Sequence, residues 1–375
     1  MSNVTVNNPC PYCQSQTVVK RGLRRKKLER VQLYLCRNPQ CGRTFTAQLV
    51  KGKRYPMALV AEGLSYYHLG FGLGEVCKLL QQKFGLKKPP SISALGSWAA
   101  QYAQLCRFSR LRPYALKLYR PAEMVEVTSM AHRQIYRFRY HRAKMALALQ
   151  EYKHRYFRPL KDYLDAVSTD TPHQYFQDST RMSEAKAKFD KSQMVVKGKE
   201  NYANSLARFA LQGVRQNKFR HEAIQRFFIA NDSVTVATEV PVYIRREDIE
   251  HMQNKLDFQI AADLDKFKNK DGKVLLTGHV DLVQVRNGVI HLLDYKPKAE
   301  KEKPIEQLTW YALAMSRLTG LRLREFKCAW FDDRRYFEFY PLHVVKKLRN
   351  PKKKKIYYKD GRTVEIPLAD KLTIT

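Results

Sequence analysis

Apolar residues recur at helical spacing through residues 56–107, and short runs of strand character dominate downstream of residue 215. The stretch PMALVAEGLSYYHLG carries Pro56 at a first-turn position, and LGEVCKLLQQKFG sets Val76, Leu79, Leu80 and Phe84 on one face before stopping at Gly85. SISALGSWAAQYAQLC then opens with Ser91 or Ser93 as N-cap. The spacing predicts three short helices. A turn bearing Lys87 and Lys88 joins the last two, a helix-turn-helix pattern whose final helix suits a DNA major groove. Residues 108–214 are rich in Arg, Tyr and Lys and read as a helical linker or insertion, with STDTPHQYFQDSTRMS (168–183) as a loop or hinge. Further on, FRHEAIQRFFIANDSVTVATEVPVYI reads as a helix with His221 followed by a strand with Glu239. KPIEQLTWYALAMSRLTG reads as a helix with Pro304 in its first turn and Gln307 and Tyr311 on one face. EFKCAWFDD and RYFEFYPL read as two more strands.

One strand pair carries the chemistry. GHVDLVQVRNGVIHLLDYKPK (278–298) is divided by Asn287-Gly288, both of which tolerate positive φ, so it predicts a β-hairpin with a two-residue turn. That register sets Asp281 opposite Asp294, with Cβ atoms about 4.5–5.5 Å apart. Val280, Leu282, Leu292 and Leu293 flank the acids, so the hairpin is at least half buried. A period of two puts Lys296 on the face of Asp294. Two carboxylates and a lysine converge, and buried carboxylates need a positive partner. Hard oxygen donors suit magnesium or manganese. Glu239 either joins this group or forms a surface ion pair.

Charge supports an anionic partner. Lys and Arg number 69 against 35 acids, a formal charge of +34, in clusters at Lys20–Arg30, Arg133–Arg158 and Lys346–Lys355. That spread suits extended phosphate contact better than a single basic arm. The sequence has no apolar run of about 18 residues and no signal-peptide pattern, which leads us to expect a cytoplasmic protein, nucleoid-associated if prokaryotic, with no membrane partner. No GxxxxGK[ST] motif is present, so any translocation needs a partner.

Seven cysteines, an odd number, argue against a disulfide framework in an unexported chain. Cys10 and Cys13 form a C-x2-C knuckle and Cys36 and Cys41 a C-x4-C pair, 22 residues apart. Two such pairs suit a structural, tetrahedral zinc ion holding a β-ribbon; four thiolates leave no open position for chemistry. Between them VKRGLRRKKLER, with Arg24, Arg25, Lys26 and Lys27, offers cations to a phosphate backbone.

The segment CPYC…VVKRG…LCRNPQCGRTF with the three helices (roughly 8–107) resembles the zinc-ribbon and helix-turn-helix N-terminus of insertion-element transposases. The order helix with His221, strand with Glu239, GHVDLV, LLDYKPK and QLTWYAL, over about residues 215–340, resembles the PD-(D/E)XK nuclease superfamily, in particular its RecB-type branch. That resemblance implies His221, Asp281 and Asp294 as ligands of Mg²⁺ or Mn²⁺, Lys296 as the group that positions water and offsets phosphorane charge, and Gln307 and Tyr311 as orienting, DNA-contacting residues. Iron–sulfur members carry flanking cysteines; only Cys328 lies near, so no cluster is expected. The fold expected is multidomain. A zinc ribbon (1–50) and a helix-turn-helix domain (51–107) precede the helical linker (108–214), an α/β restriction-endonuclease-like domain with a mixed central sheet (215–345) and a basic C-terminal segment (346–375). The function expected is a metal-dependent DNA endonuclease associated with a mobile element. The rivals are a non-catalytic DNA-binding protein on a nuclease-like scaffold and an RNA-processing nuclease.

Overall fold

The computed structural model describes residues 9–25, 30–46, 55–192, 194–214, 216–346, 354–357 and 363–366. Lys26 and Lys27 lie outside them. Three antiparallel strands, β1 (Val18–Arg25), β2 (Arg30–Cys36) and β3 (Thr44–Thr46), form a small sheet. Its buried core is Val18, Tyr34 and Phe45 with Cys10 and Cys36, too little apolar surface to hold a sheet unaided.

Helices α1 (Met57–His68), α2 (Leu73–Phe84) and α3 (Ile92–Gln101) come next, as the periodicity predicts. Ser91, not Ser93, is the cap: its Oγ accepts from the Ala94 backbone N–H at 3.1 Å. Gly85 closes α2 in a left-handed conformation, φ +58°. The three helices pack onto the main sheet and share its core. Leu59, Leu64, Leu80 and Leu95 belong to one apolar cluster with Phe228 and with Leu293 and Phe331 of that sheet.

The main sheet contains β4 (Val125–His132), β5 (Gln134–His141), β6 (Thr180–Arg181), β7 (Lys197–Lys199), β8 (Thr235–Arg245), β9 (Leu275–Arg286), β10 (Val289–Tyr295), β11 (Phe326–Phe331) and β12 (Tyr336–Phe339). Their order is β4-β5-β8-β9-β10-β11-β12-β7, with β6 beside β9. It is mixed, as expected: β10 and β11 run parallel, linked by the crossover helix α10 (Ile305–Thr319), while β9 and β10 are antiparallel. The sheet is covered on both faces, and the alternation is visible in β10 and β11. Leu292, Cys328 and Trp330 pack with Leu308 of α10; Leu293, Ala329 and Phe331 pack with α1, α7 (Tyr202–Leu211) and α8 (Arg220–Asn231). Asp294, two residues after Leu292, falls on the α10 face.

Residues 108–214 depart from the expected helical linker. They do hold α4 (Arg112–Leu118), α5 (Arg142–Gln150) and α6 (Arg158–Asp170), but β4 and β5 form one edge of the main sheet, β7 ends the other, and β6 lies against β9. The Arg/Tyr-rich composition hides a strand without alternation: in QIYRFRYH, Gln134, Ile135 and Arg137 are exposed, whereas Phe138, Arg139, Tyr140 and His141 are all buried. Nor is the 168–183 stretch a free hinge. Arg133 donates to the carbonyls of Gln177 (2.9 Å) and Ser179 (2.6 Å), and Met182 N–H donates to Thr277 O at 2.8 Å. Helix α9 (Arg246–Leu256), the short α11 (Leu342–Val345) and the hairpin of β13 (Lys354–Tyr357) and β14 (Thr363–Ile366) complete the described elements. Among the described residues, no helix is long and apolar enough to cross a membrane.

Candidate active site

The β9–β10 hairpin turns at Asn287 (φ +54°) and Gly288 (φ +72°), the backbone that a two-residue turn of this kind requires. The register runs from Val289 opposite Arg286 to Leu293 opposite Leu282, as the turn dictates. The ladder stops one step short of the acids. Asp281 Oδ2 instead accepts from the Tyr295 backbone N–H at 2.9 Å, so the two carboxylates do not meet as a regular cross-strand pair.

Lys296 is held from behind: its N–H donates to Phe331 O at 2.9 Å, tying it to the end of β11. Its Nζ stands 2.8 Å from Asp294 Oδ2, an ion pair made without a well-aligned hydrogen bond, which leaves that buried oxygen without a proper donor. His221, in the first turn of α8, places Nδ1 3.4 Å from Asp281 Oδ2. Gln307 donates to the Tyr311 hydroxyl at 2.7 Å, one helical turn along α10. All six residues line one cavity of about 390 Å³.

The electrostatics divide the acids. Burial would raise Asp281, but the hydrogen bond and charge of His221 outweigh it and hold the carboxyl below its usual range. Burial and the charge of Asp281 push Asp294 up to about 7. Burial would lower both His221 and Lys296, but Asp281 holds the first above its usual value and Asp294 the second. Glu239 belongs to this group, so of its two sequence readings the structure takes the one inside the cavity. It lies in β8 at the position facing Asp281, where the ladder skips a pair, and its φ of +52° is the left-handed region that a glutamate rarely adopts. That kink turns its carboxylate into the cavity, where Gln225 Nε2 donates to it at 2.5 Å. Burial, then the charge of Asp281, push Glu239 up to about 8. Gln225 escaped the sequence reading, although it sits four residues from His221 and so on its face of the helix.

Three carboxylates are hard oxygen donors that suit a divalent cation, and burial beside one another holds Asp294 and Glu239 protonated until such an ion displaces their protons. Gly278 makes the arrangement possible. A Cβ there would lie 2.4 Å from Tyr311 Cε1, so only glycine lets the ring approach β9. Gly278→Ala is expected to push the Tyr311 ring out of place, break its hydrogen bond to Gln307 and lower stability by about 1–3 kcal/mol through overpacking. Thermal melting would check this; an unaltered melting temperature would mean that the ring moves aside at no cost.

The cavity wall opposite the acids went unforeseen. His132 hydrogen-bonds His279 through Nδ1 and His173 through Nε2, both at 2.8 Å, and its ring stacks on Phe176 while Tyr136 stacks on His279. Burial lowers His132 to about 4 and lowers His279 further, so these two rings are neutral.

The four N-terminal cysteines come together as expected. Their sulfurs all lie within 4.8 Å of one another, with Cys10–Cys41 at 3.7 Å and Cys13–Cys36 at 3.5 Å, close to the ~3.8 Å edge of a tetrahedral zinc–thiolate centre. The wider C-x4-C loop closes on Asn38, whose carbonyl accepts from the Cys41 N–H at 2.9 Å. Burial pushes the Cys36 thiol up to about 12, so its thiolate needs a cation. Of the expected DNA contacts, Arg24, Lys87 and Lys88 are exposed; the side chain of Arg25 is not among the described ones.

A mixed sheet bearing acids and a lysine at the end of a central hairpin, under a crossover helix, has the architecture of a nuclease-like α/β domain. A family model described as the PD-(D/E)XK nuclease superfamily matches residues 143–356, more than half of the chain, and the chain belongs to that superfamily. The match begins at α5, upstream of the expected boundary at residue 215, and so includes much of the segment read as a linker. No curated protein and no solved structure matches. The superfamily makes nucleic acid the substrate class, and the four-cysteine cluster fits a zinc ribbon.

Proposed function

We propose that the protein is a metal-dependent endonuclease that hydrolyses phosphodiester bonds in DNA at the end of the β9–β10 hairpin. The observation that carries this reading is the convergence of Asp281, Asp294 and Lys296, with Asp294 Oδ2 buried and lacking an aligned donor. Asp281, Asp294 and His221 would hold Mg²⁺ or Mn²⁺, with Glu239 beside them; the bound ion would supply Lewis acidity toward the phosphoryl group. Lys296 orients the attacking water and offsets charge that grows on the phosphoryl oxygens in the transition state. Gln307 fixes the Tyr311 hydroxyl at the cavity floor, where the pair contacts the strand being cut. Before a metal binds, the protonated His221 keeps Asp281 ionised and so available as a ligand; His221 would give up that proton on ligating.

The N-terminal ribbon, held by zinc, and the helices α2 and α3 select the DNA. Helix α3 carries no Lys or Arg, so its affinity for the backbone comes from Lys87 and Lys88 in the turn before it and from the basic strands of the ribbon. The pairing of a transposase-like N-terminus with a nuclease core suggests an element-encoded enzyme, a step that rests on architecture.

Purified full-length protein incubated with supercoiled plasmid, linear duplex, single-stranded DNA and RNA, with Mg²⁺, Mn²⁺ or EDTA, tests this. Nicked or linear plasmid that forms only with metal is expected. Tight binding with no cleavage of any form would favour a DNA-binding protein on a nuclease scaffold, and cleavage of RNA alone would favour the RNA-processing reading.

A further inference from the structure

The cavity holds a cation that none of the site's acids claims. Lys296 is paired with Asp294 and His221 with Asp281, whereas Arg181, which lines the same cavity, has no acid within 4 Å and no side-chain hydrogen bond among the described residues. Its charge is felt across the cavity, contributing to the neutrality of His279. We propose that Arg181 is the substrate-phosphate clamp of this site: its guanidinium takes the two non-bridging oxygens of a phosphodiester that enters between the carboxylates and the Tyr136–His279 wall.

Geometry and charge both argue for it. Asp281 stays ionised at the cavity and Lys296 has its charge offset by the ion pair, so an unclaimed cation there is what an anionic substrate needs. A guanidinium is never deprotonated and presents a planar fork that matches two phosphate oxygens, which a point-charge ammonium does not. The position is also rigid. Residues 180–181 pair with Leu276 and Thr277 as a parallel strand, so Arg181 stands beside Thr277, four residues before Asp281. Ser179 Oγ and Thr277 Oγ1 are 2.5 Å apart, and the Arg133 guanidinium grips the carbonyls of Gln177 and Ser179. A pinned backbone with a free head group is the arrangement expected of a residue kept for a ligand.

The inference rests on the nuclease reading, and the experiment separates the two. Binding of a 5′-fluorescein single-stranded 20-mer would be followed by anisotropy in Ca²⁺, and its cleavage in Mg²⁺ or Mn²⁺, for wild type, Arg181→Ala, Arg181→Gln and Arg181→Lys of equal melting temperature. A single neutral methylphosphonate would be walked along the oligonucleotide. Loss of one charge-assisted, two-pronged contact is expected to weaken binding about ten- to a hundredfold in the alanine and glutamine variants, with lysine restoring only part. The salt dependence should fall by about one phosphate contact. At one position the methylphosphonate should cost wild type that same factor and cost the alanine variant nothing further. If Arg181→Ala binds and cuts as wild type does, or if every methylphosphonate position weakens both proteins alike, the clamp is refuted and the nuclease stands. If wild type cuts nothing while one position still depends on Arg181, the nuclease reading falls and the phosphate contact stands. Absence of both cleavage and Arg181-dependent binding removes both.

Discussion

Asp294→Asn is expected to lower metal-dependent cleavage by about 10²–10³-fold or more while leaving the fold intact. Asparagine matches the shape of the side chain but brings no charge, and at this position the charge is both the function and the liability. Asp294 is buried beside Asp281, and it keeps its proton up to about 7 for that reason. Unfolded, the carboxyl ionises near its ordinary value of about 3.9; folded and metal-free, it ionises near 7, so between these values the folded chain binds more protons. The stability that this residue contributes is therefore fully present below about pH 4 and is lost as pH rises through about 7. Thermal melting of metal-free wild type from pH 5 to 8 should show that decline, and Asp294→Asn should make it shallower, with the share of Glu239 remaining. A divalent cation reverses the sense, because it competes with the proton. Its apparent affinity should weaken by about ten- to a hundredfold for each pH unit below about 7, since Asp294 and the ligand His221 each give up a proton on binding. Lys296→Ala should also abolish cleavage, yet it should retain metal binding, since it removes no ligand. An Asp294→Asn protein that cuts at the wild-type rate would remove this carboxylate from the reaction.

The contrast between what the chain announced and what it concealed has a physical basis. The hairpin was legible because its determinants are local: Asn287-Gly288 sets the turn, the turn sets the register, and the register carries Asp281, Asp294 and Lys296 to one end of it. The helix pairs were legible for the same reason, since Gln307 and Tyr311 are one turn apart wherever α10 packs. Arg181 was not, because its place beside Thr277 depends on a two-residue strand that forms only when a distant segment lies along β9. The left-handed backbone of Glu239 has no sequence signature at all, since it arises from a skipped pair between two long strands. The misreading of residues 108–214 is of a third kind: β5 lies between β4 and β8 with its whole second half buried, so it carries no period-two signal, and a composition dominated by arginine and tyrosine does not announce a strand.

Removing metal from the cysteine cluster should unfold the ribbon and leave the nuclease sheet standing. Among its described residues the ribbon buries three apolar side chains and two thiols, whereas the main sheet is sandwiched between two extensive apolar layers, so the two parts draw on unequal reserves. A structural zinc ion contributes roughly 10–16 kcal/mol in small thiolate sites, and in a ribbon of this size that binding energy is the folding energy. Cys36 is the most telling position, buried at the end of β2 and paired with Cys13 at 3.5 Å, with a thiol that burial holds protonated in the absence of a cation. Cys36→Ser, or treatment with a strong chelator, should release about one zinc equivalent and abolish amide-exchange protection over residues 18–25 and 30–36. Protection in β8 to β11 should be unchanged. Affinity for plasmid should fall, because the strand bearing Arg24 no longer presents its charge in a fixed array, while cleavage of a short oligonucleotide that engages only the carboxylate cavity should persist. Ribbon amides that remain protected after complete metal removal would mean that the thiols hold this sheet through packing, and the metal would lose its structural role.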